Sequence, residues 1–218
     1  MRYKCLVFDH DDTIVNSTAI IHYPCFVEYI RKYYPNESLT LEEYFCNNFI
    51  TGFLELCKNY DLTDEQVAGE QVFWKEYVKK HNPVVYPGIK DIMEKQKNDG
   101  GYITVVSHSL KENILRDFEY NNLPEPDLVF GSELDRKLRK PSDYPLRQIM
   151  ERLSLSSDDL LVIDDAKPGY DMAKKCNVKF AAVGWANDVK EIEDFMRENC
   201  DVYLKKVEDL SEYLEGIA

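Results

Sequence analysis

Five short apolar runs, at residues 4–8, 102–106, 127–130, 160–163 and 180–183, are continuous rather than alternating. A strand covered on one face alternates apolar and polar side chains, whereas one covered on both faces does not. These runs are therefore expected to be strands buried on two sides. From residue 102 onward they alternate with segments of helical periodicity at 110–121, 144–153, 170–176 and 189–199. Such alternation predicts a parallel sheet with helices packed on both of its faces. A weaker strand at 201–204 and a helix at 207–214 close the pattern.

The first strand breaks this rhythm. Residues 16–86 separate it from the next α/β unit and read as helix throughout, with Phe26, Tyr29, Ile30 and Tyr33, then Leu41, Tyr44 and Phe45, at helical spacing. Pro35-Asn36, Asn59-Tyr60-Asp61 and Asn82-Pro83 interrupt the runs, and Pro87-Gly88 marks the return before a helix at 89–98. A connection of that length predicts a small helical domain inserted between the first two strands.

Composition narrows the function. The chain has 218 residues, of which 44% are hydrophobic and 31% charged, with a formal net charge of −13. That is a globular composition. The acidity excludes a protein that works by neutralising nucleic-acid phosphates or by docking on anionic lipid. No apolar run approaches the roughly 20 residues of a membrane-spanning helix. The opening MRYKCLVFDHDD lacks a secretory pattern, because acids interrupt its apolar run. The six cysteines are scattered without a C-x-x-C pair and read as reduced packing residues. The expected compartment is the cytoplasm, with no membrane and no nucleic-acid partner; oligomeric state is not legible.

In doubly wound sheets the chemistry collects at the carboxyl ends of the strands. After the first strand comes Asp9-His10-Asp11-Asp12-Thr13, after the second Ser107-His108-Ser109, and after the fourth Asp164-Asp165; Arg139-Lys140-Pro141 lies between the third and fourth. Two carboxylates about 4 Å apart repel by roughly 4 kcal/mol at an effective dielectric of about 20. A cluster of acids therefore calls for a cation, and an all-oxygen donor set favours Mg²⁺. With the metal and Lys140 in place, the crevice can accept a phosphate dianion, with Ser107 as a neutral donor. The spacing of Asp9 and Asp11 lets one carboxylate attack phosphorus while the other serves as general acid and then base.

The run Phe8-Asp9-His10-Asp11-Asp12-Thr13 resembles the D-x-D-x-T signature of the haloacid dehalogenase superfamily. Ser107, Lys140-Pro141 and Asp164-Asp165 are similar to its three companion motifs, in the same order. The stretch YPGIKDIMEKQKNDGG is similar to the return segment of the phosphoglycolate-phosphatase-like subgroup. The resemblance implies a Rossmann-like, doubly wound, mainly parallel α/β core at 1–15 and 85–218, with an inserted α-helical C1 cap at 16–84. It implies Asp9 as nucleophile, and Asp11 as acid/base offering its backbone carbonyl to Mg²⁺. Asp165 and, directly or through water, Asp164 are the implied further metal ligands; Ser107 and Lys140 are implied to hold the phosphoryl group. On that resemblance the presence of Asp11 implies phosphatase or phosphomutase chemistry, and the leading expectation is a phosphatase acting on a small phosphorylated metabolite through an aspartyl-phosphate. The alternatives are a phosphomutase of the β-phosphoglucomutase type and a non-catalytic binding protein of the same fold.

The sequence departs from that pattern at Asp12, where Gly is usual, at His10, where an aliphatic residue is common, and at Ala166 and His108, which replace a frequent Ser and Asn. Asp12 is expected to serve local structure. His108 is a candidate substrate contact. So are Asn47, Asn48, Thr51 and Gly52, which fall in an interrupted helical stretch where this cap class carries its substrate-reading loop. His22 lies one residue out of register with the cap histidine of the mutases, and is expected to be a packing or surface residue.

Overall fold

The computed structural model describes residues 2–36, 38–50 and 53–216. Six strands, β1 (Cys5–Phe8), β4 (Tyr102–Val106), β5 (Leu128–Phe130), β6 (Leu160–Asp164), β7 (Lys179–Val183) and β8 (Val202–Leu204), form one sheet in the order β5-β4-β1-β6-β7-β8. Every neighbouring pair in it is parallel. All five continuous apolar runs are strands, and the weaker sixth is the edge. The alternation of side chains explains why the runs look continuous. Leu6 and Phe8, with Leu161 and Ile163, face one apolar cluster, while Cys5 and Val7, with Leu160 and Val162, face another. Helices α5 (Ile89–Asn98), α6 (Lys111–Tyr120) and α10 (Val207–Glu215) cover the first face. Helices α7 (Tyr144–Leu153), α8 (Lys167–Lys175) and α9 (Lys190–Asn199) cover the second. No helix among the described residues is long and apolar enough to cross a membrane.

The excursion after β1 is not helical from end to end. It leaves and returns through a two-residue antiparallel ribbon, β2 (Val15–Asn16) paired with β3 (Val84–Val85). Between them lie α1 (Tyr23–Ile30), α2 (Leu41–Ile50), α3 (Phe53–Asn59) and α4 (Asp64–Val78). A π-helical turn at Thr18–His22 leads into α1, with the Tyr23 N–H bonded to the Thr18 carbonyl and the His22 N–H to that of Ser17. A π turn carries one residue more than an α turn and rotates the residues that follow it. A capping box opens α4, in which the Gln66 N–H donates to Thr63 Oγ1 and the Thr63 N–H to Gln66 Oε1. Phe26, Ile30, Tyr44, Leu56 and Cys57 form the insertion's own core.

Glu70 of α4 is buried beside that core, and burial raises its carboxyl from 4.5 to about 7. The folded chain therefore holds a proton that the unfolded chain releases as pH rises above 4.5. The stability this contributes is fully present below pH 4.5 and is lost as pH rises through 7. Glu70→Gln should flatten stability between those limits and raise it at pH 8 by up to about 3 kcal/mol, as read from urea unfolding at several pH values. An unchanged pH profile would show that Glu70 ionises freely.

Candidate active site

The sheet order reverses at β1, which lies between β4 and β6, and a crevice opens at the carboxyl ends of such strands. Asp9 follows β1 directly, and its N–H continues the ladder to the Ile163 carbonyl at 2.9 Å. Asp164 ends β6. Lys140, 6% exposed, sets its ammonium between them, 2.9 Å from Asp9 Oδ1 and 2.7 Å from Asp164 Oδ2. The ammonium is held well above its usual range, chiefly because the two carboxylates outweigh the burial that opposes its charge.

Asp9, Asp164 and Asp165 each offer a carboxylate oxygen within 4.8 Å of the others. Burial, together with neighbouring acids, pushes Asp164 up to about 7 and Asp165 well above the usual carboxylate range. Asp9 Oδ1 is buried and accepts no well-aligned hydrogen bond, although the Lys140 ammonium is close. Three hard oxygen donors short of positive charge fit a divalent cation, so Asp9, Asp164 and Asp165 could hold one. Gly169 of α8 makes room for this group, since a Cβ there would stand 2.1 Å from Asp164 Oδ2.

Asp11 faces elsewhere. Its carboxylate stands outside the acidic trio, in a network of neutral donors. Ser17 Oγ donates to Oδ1 at 2.7 Å, and His22 Nε2 lies 3.0 Å from the same oxygen. Ser109 Oγ donates to Oδ2 at 2.5 Å. Burial opposes the charge, but His22 and His10, donating beside it, hold the Asp11 carboxyl well below its usual value. Ser107, buried at the end of β4, accepts the Ser109 N–H at 3.1 Å.

Asp12 takes a left-handed φ of 59°, which explains a preference for Gly at this position. Its carboxylate accepts the Ser17 and Thr18 N–H groups at 3.3 and 3.0 Å and caps the π turn, so its role is local structure. His10 is buried between Asp11 and Asp117, with nitrogen-to-oxygen distances of 3.5 and 3.6 Å.

His108 is exposed at the crevice rim, its Nε2 3.0 Å from the Lys140 carbonyl. Asn47 and Asn48 lie in the last turn of α2, ahead of the break between it and α3. The Asn47 amide donates to the Glu43 carbonyl and accepts from Asn59. Thr51 and Gly52 lie outside the described residues. His22 is the main correction, because the extra residue of the π turn brings it to Asp11 despite its register. Ser17, Ser109 and Trp74 carry no motif signal. The spacing of Ser107 and Ser109 at the end of β4 was the only clue to the second serine.

The family model of haloacid dehalogenase-like hydrolases matches residues 6–183. No curated protein matches the chain significantly by sequence. Among solved structures, a haloacid dehalogenase-like hydrolase from Bacteroides fragilis superposes with a TM-score of 0.81 at 20% identity, covering 95% of this chain and 99% of its own. A predicted phosphoglycolate phosphatase from Haemophilus somnus gives 0.79 at 16% identity, covering 98% of each chain. CbbY from Rhodobacter sphaeroides, in complex with phosphate, gives 0.74 at 17% identity, covering 95% of this chain and 96% of its own. At these identities the likeness is one of fold.

Proposed function

The chain belongs to the haloacid dehalogenase-like hydrolase family, and from that premise we propose that it is a Mg²⁺-dependent phosphatase of a small phosphorylated metabolite, working through an aspartyl-phosphate. One observation carries this reading: the segregation of two carboxylates that are neighbours in sequence. Asp9 shares the Lys140 ammonium with Asp164, whereas Asp11 sits among hydroxyl donors outside that group. Carboxylates in contrasting environments take contrasting roles.

In this reading a carboxylate oxygen of Asp9 attacks phosphorus, and the bond to the ester oxygen breaks. The leaving oxygen takes its proton from Asp11, which first gains that proton from solvent because its resting carboxylate is ionised. Water, deprotonated by Asp11, then attacks the phosphoaspartate and frees inorganic phosphate and Asp9. Lys140 and Ser107 hold the phosphoryl oxygens throughout. Asp9, Asp164 and Asp165, with the Asp11 backbone carbonyl, would hold a magnesium ion, which would neutralise charge between phosphate and acids. Residues 16–84 act as a cap that excludes water from the first transfer, over a core of 1–15 and 85–218. A small phosphorylated substrate agrees with the ligands of a protein of similar fold, CbbY, which binds phosphate and xylulose-(1,5)bisphosphate.

The position of His22 favours a second reading, phosphomutase, in which a cap base deprotonates a sugar hydroxyl. Incubation of the protein and Mg²⁺ with an aryl phosphate and with a sugar 1-phosphate separates the two. Free phosphate from both, lost on chelation by EDTA, is expected. Conversion to a 6-phosphate would favour the mutase, and no turnover of a phosphometabolite panel would overturn both.

A further inference from the structure

Trp74 lies on the face of α4 turned toward Asp11. Its indole Nε1 donates to His22 Nδ1 at 3.0 Å, and the opposite ring nitrogen, Nε2, is 3.0 Å from Asp11 Oδ1. The indole N–H has no acceptor capacity, so Nδ1 must present a lone pair. The single proton of the neutral imidazole is then on Nε2, where it points at the carboxylate. One turn further along α4, the Val78 carbonyl accepts from Arg116 at 3.0 Å, and that guanidinium is anchored on the Asp117 carboxylate at 2.7 and 2.9 Å. The helix that carries Trp74 is thus pinned to α6 beside the crevice.

We infer that Trp74 is a positioning residue for the reaction, fixing His22 as a hydrogen-bond donor to Asp11 Oδ1. Two consequences follow from donor counting. Oδ1 is already supplied by Ser17 Oγ and His22 Nε2, so the proton that Asp11 exchanges with substrate belongs on Oδ2. The Ser109 hydroxyl, which now donates to Oδ2, turns to accept when that oxygen is protonated. In addition, neither nitrogen of His22 is open to take a proton from a substrate hydroxyl, since Nε2 bears one and Nδ1 is covered by the indole. The pocket lined by Asp11, His22 and Trp74 is therefore built for hydrolysis rather than for returning a phosphoryl group to a sugar. The inference rests on the reading of Asp11 as acid and base.

Trp74→Phe keeps the ring and deletes the donor. It should lower kcat for an aryl phosphate about 10-fold while KM stays within about 2-fold. Ring ¹⁵N spectra should report a fixed Nε2–H tautomer of His22 in the wild type and a mixture in the variant. His22→Gln supplies both a donor for Asp11 and an acceptor for Trp74, so it should recover most of the activity that His22→Ala loses. Wild-type kcat with an unchanged ¹⁵N pattern in Trp74→Phe would overturn the inference, as would a His22→Gln variant no better than His22→Ala. Should Trp74→Phe fail to fold, the His22 pair decides alone. Should the wild type release no phosphate, the phosphatase reading falls by itself. The ¹⁵N pattern then still tests the lock, which a mixed tautomer in the wild type would refute.

Discussion

Asp9→Asn should abolish phosphate release, by about 10⁴-fold or more, and leave the fold intact. The substitution is isosteric, but the neutral amide cannot form the phosphoaspartate bond. The structure explains why folding should survive. The Lys140 ammonium keeps its 2.7 Å contact with Asp164, so the buried cation remains paired after Asp9 loses its charge. Release of phosphate from an aryl phosphate and the thermal midpoint, measured on the same preparation, check both halves. Turnover within 10-fold of wild type would remove Asp9 from its role as nucleophile.

Lys140→Met has the opposite balance, with a large penalty on the fold as well as on the chemistry. The ammonium is 3% exposed at its side chain and satisfies Asp9 and Asp164, which are 9% and 1% exposed. Taking one partner from a buried ionic group leaves uncompensated charge, at a typical cost of about 3–5 kcal/mol. At about 2–4 °C per kcal/mol for a chain of this size, the thermal midpoint should fall by roughly 10 °C. Under the proposed mechanism activity should fall about 10³-fold, with the loss of the charge assigned to the phosphoryl oxygens. Added Mg²⁺ should recover part of the stability, because a divalent cation among the same acids restores the missing positive charge. Urea unfolding with and without Mg²⁺ measures this, and a variant as stable as wild type in EDTA would show that the acids are neutral in the native state.

The parts of the fold that were legible in the sequence are those set by burial on two faces. The runs at β1, β4 and β6 have no polar alternation because both sides of the sheet are covered, and their ends expose Asp9, Ser107 and Asp164 at one edge. The parallel pairing follows from the alternation of strand and helix after residue 102, whereas the order of the strands is visible only in the folded sheet. What was not legible depends on a single residue or a single hydrogen bond. The ribbon of Val15–Asn16 with Val84–Val85 is too short to leave a periodic signal. The π turn at Thr18–His22 holds one residue more than an α turn, and His22 reaches Asp11 although counting puts it one residue out of register with the mutase histidine. The start of α8 at Lys167 rather than Tyr170 reflects Pro168 in the first helical turn, where a missing N–H costs nothing. Asn47 is composed like a loop residue, yet within α2 its amide is taken up by the Glu43 carbonyl, an arrangement visible only once the helix exists.

The packing of α2 reaches beyond the insertion. Phe45 and Phe49 belong to the same apolar cluster as Met172 of α8 and Ile192 of α9, and the Phe49 ring meets Phe195 edge-on at 5.4 Å. For the proposed cap, an opening that parts α2 from α8 and α9 must wet these rings, at about 2 kcal/mol for each side chain fully exposed. Grease therefore adds to the polar contacts of His22 with Asp11 and of Arg116 with the Val78 carbonyl in holding the proposed cap down, and cold, which weakens hydrophobic adhesion, should loosen it.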